Sequence, residues 1–255
     1  MRLDNYLVNN NLTKSRSKAQ SLIKDGNILV NNNVILKASY EIKDTDVIIV
    51  KEDNCPYVSR GGLKLEEAIN KFNLNFNDKI ILDIGSSTGG FTDCALKHGA
   101  KLVYAVDVGT NQLDASLKNN NKVISMENTN IKDIKEFDNK IDYILMDVSF
   151  VSIEYLLPSL VKFINEAIGF VCLIKPQFEV GKIKLKNGIV KDKKLYKEVL
   201  QNIINELNLY NLGINKLTIS PIKGGSGNTE FLALIKKCET KININSFLGE
   251  IWLKN

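Results

Sequence analysis

The densest chemistry in this chain lies in Leu82-Asp83-Ile84-Gly85-Ser86-Ser87-Thr88-Gly89-Gly90-Phe91-Thr92-Asp93, an apolar run that enters a glycine-rich turn and then helix-forming residues. A strand leading through such a turn into a helix lets the backbone approach a ligand at the carboxyl edge of a sheet. The spacing does not fit G-x-G-x-x-G, and the lysine of G-x-x-x-x-G-K-S/T is missing, so dinucleotides and ATP lose ground. Asp107 follows Gly85 by 22 residues and ends the run Val103-Tyr104-Ala105-Val106. A carboxylate there can accept hydrogen bonds from both hydroxyls of a ribose. Asp83, at the head of the turn, favours a cationic ligand, and S-adenosylmethionine carries a sulfonium and an ammonium. Asp83, Gly85, Gly89 and Asp107 in this order therefore point to S-adenosylmethionine. Ser86, Thr88, Gly90 and Phe91 belong to the same turn, and Asn128 is expected beside the adenine. The bland alternative is a tight strand-to-helix turn that binds nothing.

Three later apolar runs also meet ionisable groups at their ends. Asp147 follows the run ending in Met146, Lys175 follows the run ending in Ile174, and Glu230 precedes Phe231. Ligands of open α/β sheets bind outside the carboxyl ends of parallel strands. Glu230 can join Asp147 and Lys175 there only if its strand runs antiparallel, as a sheet edge permits. A lone carboxylate at a strand end is often a helix cap; two opposite charges at neighbouring ends are harder to dismiss.

The elements that must hold these groups fall into two units. The first part of the chain reads as two short helices, with Thr13 as the cap of a helix over 14–24, followed by short strands at 28–30, 34–36 and 47–50. A core this small is marginal alone, which makes it an appended module, expected over residues 1–53. From residue 54 onward, a helix over 59–70 leads into apolar strands at 79–84, 102–106, 123–126, 143–146 and 170–174, with a late pair at 217–219 and 231–235. Buried strands alternating with helices indicate a doubly wound α/β domain with a mostly parallel sheet.

Composition narrows the function further. The 255 residues carry a net charge of +5, concentrated at residues 2–24 (+4) and 175–197 (+6). Such patches favour a polyanionic partner through phosphate neutralisation. The segment 182–197 is either a loop touching phosphates or simply solvated. Four scattered cysteines and a single histidine disfavour thiolate metal sites, His-assisted proteases and a disulfide scaffold. Trp252 is expected to pack against the domain. No apolar run approaches the ~18–20 residues of a membrane span, and the N-terminus has no signal-peptide core, so the cytoplasm is expected. The residues set no oligomeric state.

At the level of motifs the chain resembles the haemolysin A (TlyA) family of ribosomal RNA 2′-O-methyltransferases over nearly its whole length. Arg2-Leu3-Asp4, the stretch from Ser15 to Ile23, and Gly26 resemble the αL-type RNA-binding module of a small-subunit ribosomal protein and of pseudouridine synthases. Tyr57 to Leu65, Asp83 to Phe91, Asp147 to Phe150, Lys175 to Glu179 and Gly224 to Glu230 match the methyltransferase signatures, in order. The resemblance implies a Rossmann-like S-adenosylmethionine-dependent domain. It also implies the Lys-Asp-Lys-Glu tetrad of FtsJ-class ribose methyltransferases at Lys64, Asp147, Lys175 and Glu230. A lysine in water loses its proton at about pH 10.4, and desolvation with adjacent cations can bring that down to about 7–8. Lys175 is thus expected as base or alkoxide stabiliser, oriented by Asp147, with Lys64 and Glu230 placing the ribose.

The implied partner is rRNA within a ribosomal subunit, gripped through Arg2, Arg16, Lys18 and Lys24, with no metal and no stable membrane association. Longer family members, extended at both ends, modify both rRNAs; shorter ones modify the large-subunit rRNA alone. The module here begins at Arg2-Leu3-Asp4 and little follows Trp252, so a large-subunit cytidine near the intersubunit face is expected, with no small-subunit modification. Two other functions compete: a non-catalytic RNA-binding ribosome-assembly factor, and the membrane-active haemolysin of the family's name. The intact loop and complete tetrad speak against the first, and the ordinary composition against the second.

Overall fold

The computed structural model describes residues 1–13, 16–24, 26–51, 55–180, 188–190, 192–224 and 227–253. The expected boundary at residues 53 and 54, the segment 182–187 and the Gly225-Ser226 pair lie outside the described residues, as do the side chains of Lys24 and Trp252.

The first unit is built from α1 (Leu3–Asn9), α2 (Arg16–Lys24) and a sheet of β1 (Ile28–Val30), β2 (Asn33–Val34) and β3 (Ile48–Val50) in the order β2-β1-β3. Leu3 and Leu7, on one side of α1, meet Ala19, Leu22 and Ile23 of α2 over Ile28 and Val30. Strand alternation sends those two residues inward. Asn31 and Asn32 both take positive φ, 50° and 63°, and close the β1–β2 hairpin as a two-residue turn. The expected cap at Thr13 lies next to residues 14 and 15, which are outside the described residues, where α2 runs from Arg16.

The second unit centres on a seven-stranded sheet in the order β6-β5-β4-β7-β8-β10-β9. Its strands are β4 (Ile80–Ile84), β5 (Leu102–Val106), β6 (Val123–Met126), β7 (Tyr143–Met146), β8 (Gly169–Ile174), β9 (Gly213–Ile219) and β10 (Phe231–Lys236). The pairs β6–β5, β5–β4, β4–β7 and β7–β8 are parallel, whereas β10 runs antiparallel between β8 and β9. Order reverses between β4 and β7, which opens a crevice at their carboxyl ends.

Both faces of the sheet are covered. Ile81, Leu145, Val171 and Leu232 face α3 (Gly61–Phe72) and α4 (Gly90–Lys97). Leu82, Ile144, Cys172 and Ala233 face α6 (Ile153–Ile164), α8 (Lys193–Asn208) and α9 (Ile244–Leu253). This two-sided burial is why the strands read as continuous apolar runs rather than alternating ones. The sheet edge behaves differently. β9 starts four residues before the expected Leu217 because Asn215 and Lys216 break its apolar run, and an edge strand tolerates such polar residues. Two short helices complete the unit, α5 (Ala115–Lys118) and α7 (Pro176–Glu179).

Candidate active site

The four residues of the expected tetrad converge. Lys64 comes from the first turns of α3, Asp147 from the end of β7, Lys175 from the end of β8, and Glu230 from the residue before β10. The antiparallel course of β10 is what brings Glu230 to this end of the sheet: Phe231 pairs with Ile174, one residue before Lys175. Lys175 Nζ lies 2.5 Å from Asp147 Oδ1 and donates to Ser149 Oγ at 2.8 Å. Lys64 Nζ donates to Glu230 Oε2 at 2.7 Å and lies 4.0 Å from Asp147 Oδ2. The result is a row of alternating charge, Lys175, Asp147, Lys64, Glu230, in which Lys64 and Lys175 are each 8% exposed and Glu230 is 2% exposed. Ammonium groups this sheltered persist as charges only when paired in this way.

The glycine-rich turn adjoins the tetrad. Gly85 has φ of 78°, and a Cβ on it would come within 2.9 Å of the Asp147 carbonyl oxygen. Gly90 opens α4 against the start of α3, where a Cβ would meet Gly62 N at 2.9 Å. Both positions demand glycine for closeness, and through them the turn is fitted to the elements bearing Lys64 and Asp147. A cleft of about 1070 Å³ runs over the turn and tetrad, with Gly85, Ser86, Thr88, Gly90 and Phe91 in its wall.

Four other expected ligand residues, Asp83, Gly89, Asp107 and Asn128, are not among those lining the cleft. Asp83 is fully buried and accepts from Thr92 Oγ1 at 2.6 Å. Among the described residues its other oxygen, Oδ1, has no partner, and neither has the buried Ser86 Oγ. Burial pushes the Asp83 carboxyl up to about 7, with the Thr92 hydrogen bond opposing and the Asp147 charge adding to the rise. Gly89 lies against Leu117. Asp107 has Oδ2 on the Ser87 N–H at 2.8 Å and Oδ1 on the Gly109 N–H at 2.7 Å, so its carboxylate shapes the loops around it. Asn128 donates its N–H to the Gly109 carbonyl, outside the cleft.

The residues expected on RNA are also organised by partners. Asp4, completely buried, accepts from Arg2 Nε and Nη2 at 2.9 Å each, and from Arg16 Nε and Gln20 Nε2 at 3.0 Å each. The Arg2 guanidinium, with Gln20 and Arg16 beside it, holds the Asp4 carboxyl well below the usual carboxylate range. Arg2 and Arg16 nonetheless keep 40% and 56% of their side chains exposed. Arg16 and Gln20 reach the wall of the same cleft as the tetrad. Lys18 points elsewhere, its Nζ 3.5 Å from the carbonyl of Val58 in the second unit.

Several cleft residues were given no role in the sequence reading, among them Ser149, Phe150 and Phe178. Phe150 sits at φ of 66° with its side chain outward, 89% exposed, and its ring lies 4.9 Å from that of Phe178. The signal was present, since a phenylalanine follows both Asp147 and Lys175 by three residues. Spacing alone gives no hint that the two rings meet.

Comparison with known proteins agrees with this fold. Residues 57–237 match the FtsJ-like methyltransferase family model and residues 1–48 the S4 domain. The chain is 47% identical to Hemolysin A of Brachyspira hyodysenteriae, covering 91% of this chain and 98% of that protein. It is 36% identical to the 23S rRNA (cytidine-2′-O)-methyltransferase TlyA of Campylobacter jejuni, covering 91% of this chain and 97% of that protein. With the 16S/23S rRNA (cytidine-2′-O)-methyltransferase TlyA of Mycobacterium tuberculosis it shares 34% identity, over 92% of this chain and 89% of that one. A solved structure named as a hemolysin, from Streptococcus thermophilus, superposes with a TM-score of 0.75 at 36% identity, over 100% of this chain and 94% of that one. With an S4 domain leading an FtsJ-like fold and relatives of this similarity along almost all of its length, the chain belongs to the haemolysin A (TlyA) family of methyltransferases.

Proposed function

We propose that this protein methylates the 2′-oxygen of a cytidine ribose in large-subunit (23S) rRNA, with residues 1–53 docking the RNA and residues 54–255 carrying out the chemistry in the cytoplasm. The observation that carries the reading is the charge row of Lys175, Asp147, Lys64 and Glu230 beside the glycine-rich turn. The 23S target is common to the names of both TlyA relatives.

S-adenosylmethionine, when bound, supplies a methyl group on a sulfonium. The orphaned Asp83 Oδ1 and Ser86 Oγ suit its polar groups, because a buried carboxylate without a partner favours a cation. Gly85, Ser86, Thr88, Gly90 and Phe91 would hold it at the wall, with Asp83 and Gly89 beneath, while Asp107 and Asn128 shape the loops around it.

The chain's own residues then have definite tasks. As an ammonium, Lys175 has three donors; Ser149 takes one and the Asp147 carboxylate lies at ion-pair distance, which leaves a donor for the ribose 2′-oxygen. That contact stabilises the negative charge developing on oxygen. Passing a proton from Nζ to Asp147 would make the nitrogen basic, so the same atom can take the hydroxyl proton as the O–CH3 bond forms and the S–CH3 bond of the donor breaks, its electron pair staying on sulfur. Lys64, fixed by Glu230, holds Asp147 from the other side. Phe150 and Phe178 offer a stacking surface for an unpaired base. Arg16, held by Asp4, meets the RNA backbone at the cleft mouth.

Purified ribosomal subunits and labelled methyl donor test the reading. Label is expected in the large-subunit rRNA as a 2′-O-methylcytidine. Lys175→Ala should abolish it while calorimetric binding of S-adenosylmethionine persists. Label elsewhere, or full turnover by the variant, refutes the assignment.

A further inference from the structure

Gln177 lines the cleft and carries an unmet hydrogen-bond acceptor at its buried amide oxygen, and, resting on the methyl-transfer reading above, we infer that it selects cytosine at the target nucleotide. Its Nε2 donates to Glu230 Oε1 at 3.2 Å. An ionised carboxylate can only accept, so this contact identifies the nitrogen end of the amide and fixes its orientation. The opposite end, Oε1, is therefore an acceptor, and it is buried without a partner among the described residues. Buried polar atoms are nearly always satisfied, so an orphan in the wall of a binding cleft marks a bond that the ligand completes.

The surroundings leave this amide little freedom. Pro176, first residue of α7, directs the chain from Lys175 to Gln177. Gly224 presses on the same pair from the other side, where a Cβ would come within 2.4 Å of Glu230 Oε1 and 3.6 Å of Gln177 Nε2. The acceptor is thus held close to the charge row that receives the ribose.

A cytidine within an RNA chain has few donors to offer it. The 3′-oxygen is esterified, and the 2′-hydroxyl is the reacting group at Lys175. What remains is the exocyclic amine at C4. Uridine carries a carbonyl oxygen there, which would set acceptor against acceptor. The Phe150–Phe178 surface stacks any base and cannot make this distinction. Sites built around such a hydrogen bond reject the analogue that lacks the donor.

Large subunits reconstituted with cytidine or uridine at the target position provide the test, read as the ratio of single-turnover methylation rates. Wild type should favour cytidine by about 10- to 100-fold, the discrimination one good base-edge contact supplies. Gln177→Met keeps the length of the side chain and removes the acceptor, so its ratio should fall to within about threefold of unity. A general loss of activity cancels in the ratio. For a variant too slow to time, the ratio of competition-binding affinities for the two substrates replaces it. A Gln177→Met enzyme that keeps the wild-type ratio overturns the inference. So does equal slowing on both substrates, which would place Oε1 on the ribose. Failure of the wild type to methylate either subunit would refute the methyltransferase reading instead, and the two failures are distinguishable.

Discussion

Glu230 is 2% exposed and bonds the Lys64 ammonium at 2.7 Å, so truncating it strands a sheltered positive charge whose next carboxylate is 4.0 Å away. Glu230→Ala should destabilise the fold by about 3 kcal/mol in urea titrations, the usual cost of breaking such a pair from one side. Replacing both partners, Lys64→Met with Glu230→Leu, should recover most of that stability while methyl transfer remains lost. Recovery of activity in the double variant would mean the pair serves packing alone. Asp83 makes a second prediction at this scale. Burial holds its carboxyl up to about 7, so the folded protein keeps a proton that the unfolded chain releases near pH 4. Stability therefore falls as pH rises through that window, and Asp83→Asn should gain on the wild type between pH 5 and pH 8. Glu179, also raised to about 7 by burial, adds a slope of the same sign, so the variant's profile is flatter rather than flat. A cation at Asp83 Oδ1 favours the ionised form, so S-adenosylmethionine should bind more tightly above pH 7 than below it.

The loop between β7 and α6 carries Ser149 and Phe150, and it is tied at its far end, where Glu179 Oε1 accepts from the Ile153 N–H at 3.1 Å. That bond joins the loop to α7, the element holding Gln177 and Phe178. Phe150→Ala should leave cofactor binding intact and weaken RNA binding by about 10-fold or more in filter assays, since base stacking on an aromatic ring contributes ~1–3 kcal/mol. Unchanged RNA affinity would show that the exposed ring stacks on nothing. Elements of this kind also mark what the sequence could disclose. Strands buried on both faces, such as Val171 and Cys172 in β8, announced themselves as apolar runs, and the charges at their ends were legible with them. Lys64 was not legible from pattern, because a lysine inside a helix has the same signature whether it faces water or a carboxylate. Resemblance alone supplied it. Asp107 was placed correctly after β5 by spacing, but only the folded backbone reveals that its two oxygens each also accept a loop N–H, from Ser87 and Gly109.

Across the whole molecule, the buried Asp4 links the RNA-binding unit to the cleft by fixing Arg16 and Gln20 in its wall. Neutralising Arg16 and Lys18 together should weaken RNA binding and reduce its salt dependence, leaving S-adenosylmethionine affinity unchanged. Arg16 should account for most of that effect, since the Lys18 ammonium is directed at the Val58 carbonyl. Single variants compared at two salt concentrations would separate them, and an equal loss from Lys18 alone would contradict this division. The position of β10 carries a consequence for the protein's own synthesis. It is inserted between β8 and β9 although it follows both in the chain, and Glu230 arrives with it. Domains fold in order as they leave the ribosome, N-terminal first. The RNA-binding unit of a growing chain can therefore fold while the polymerising ribosome still holds the glutamate that completes the charge row. On the proposed function, a nascent chain, or any fragment released short of Glu230, would have the first unit but no complete charge row, so the machine that makes this enzyme would not be modified by it before synthesis has passed that residue.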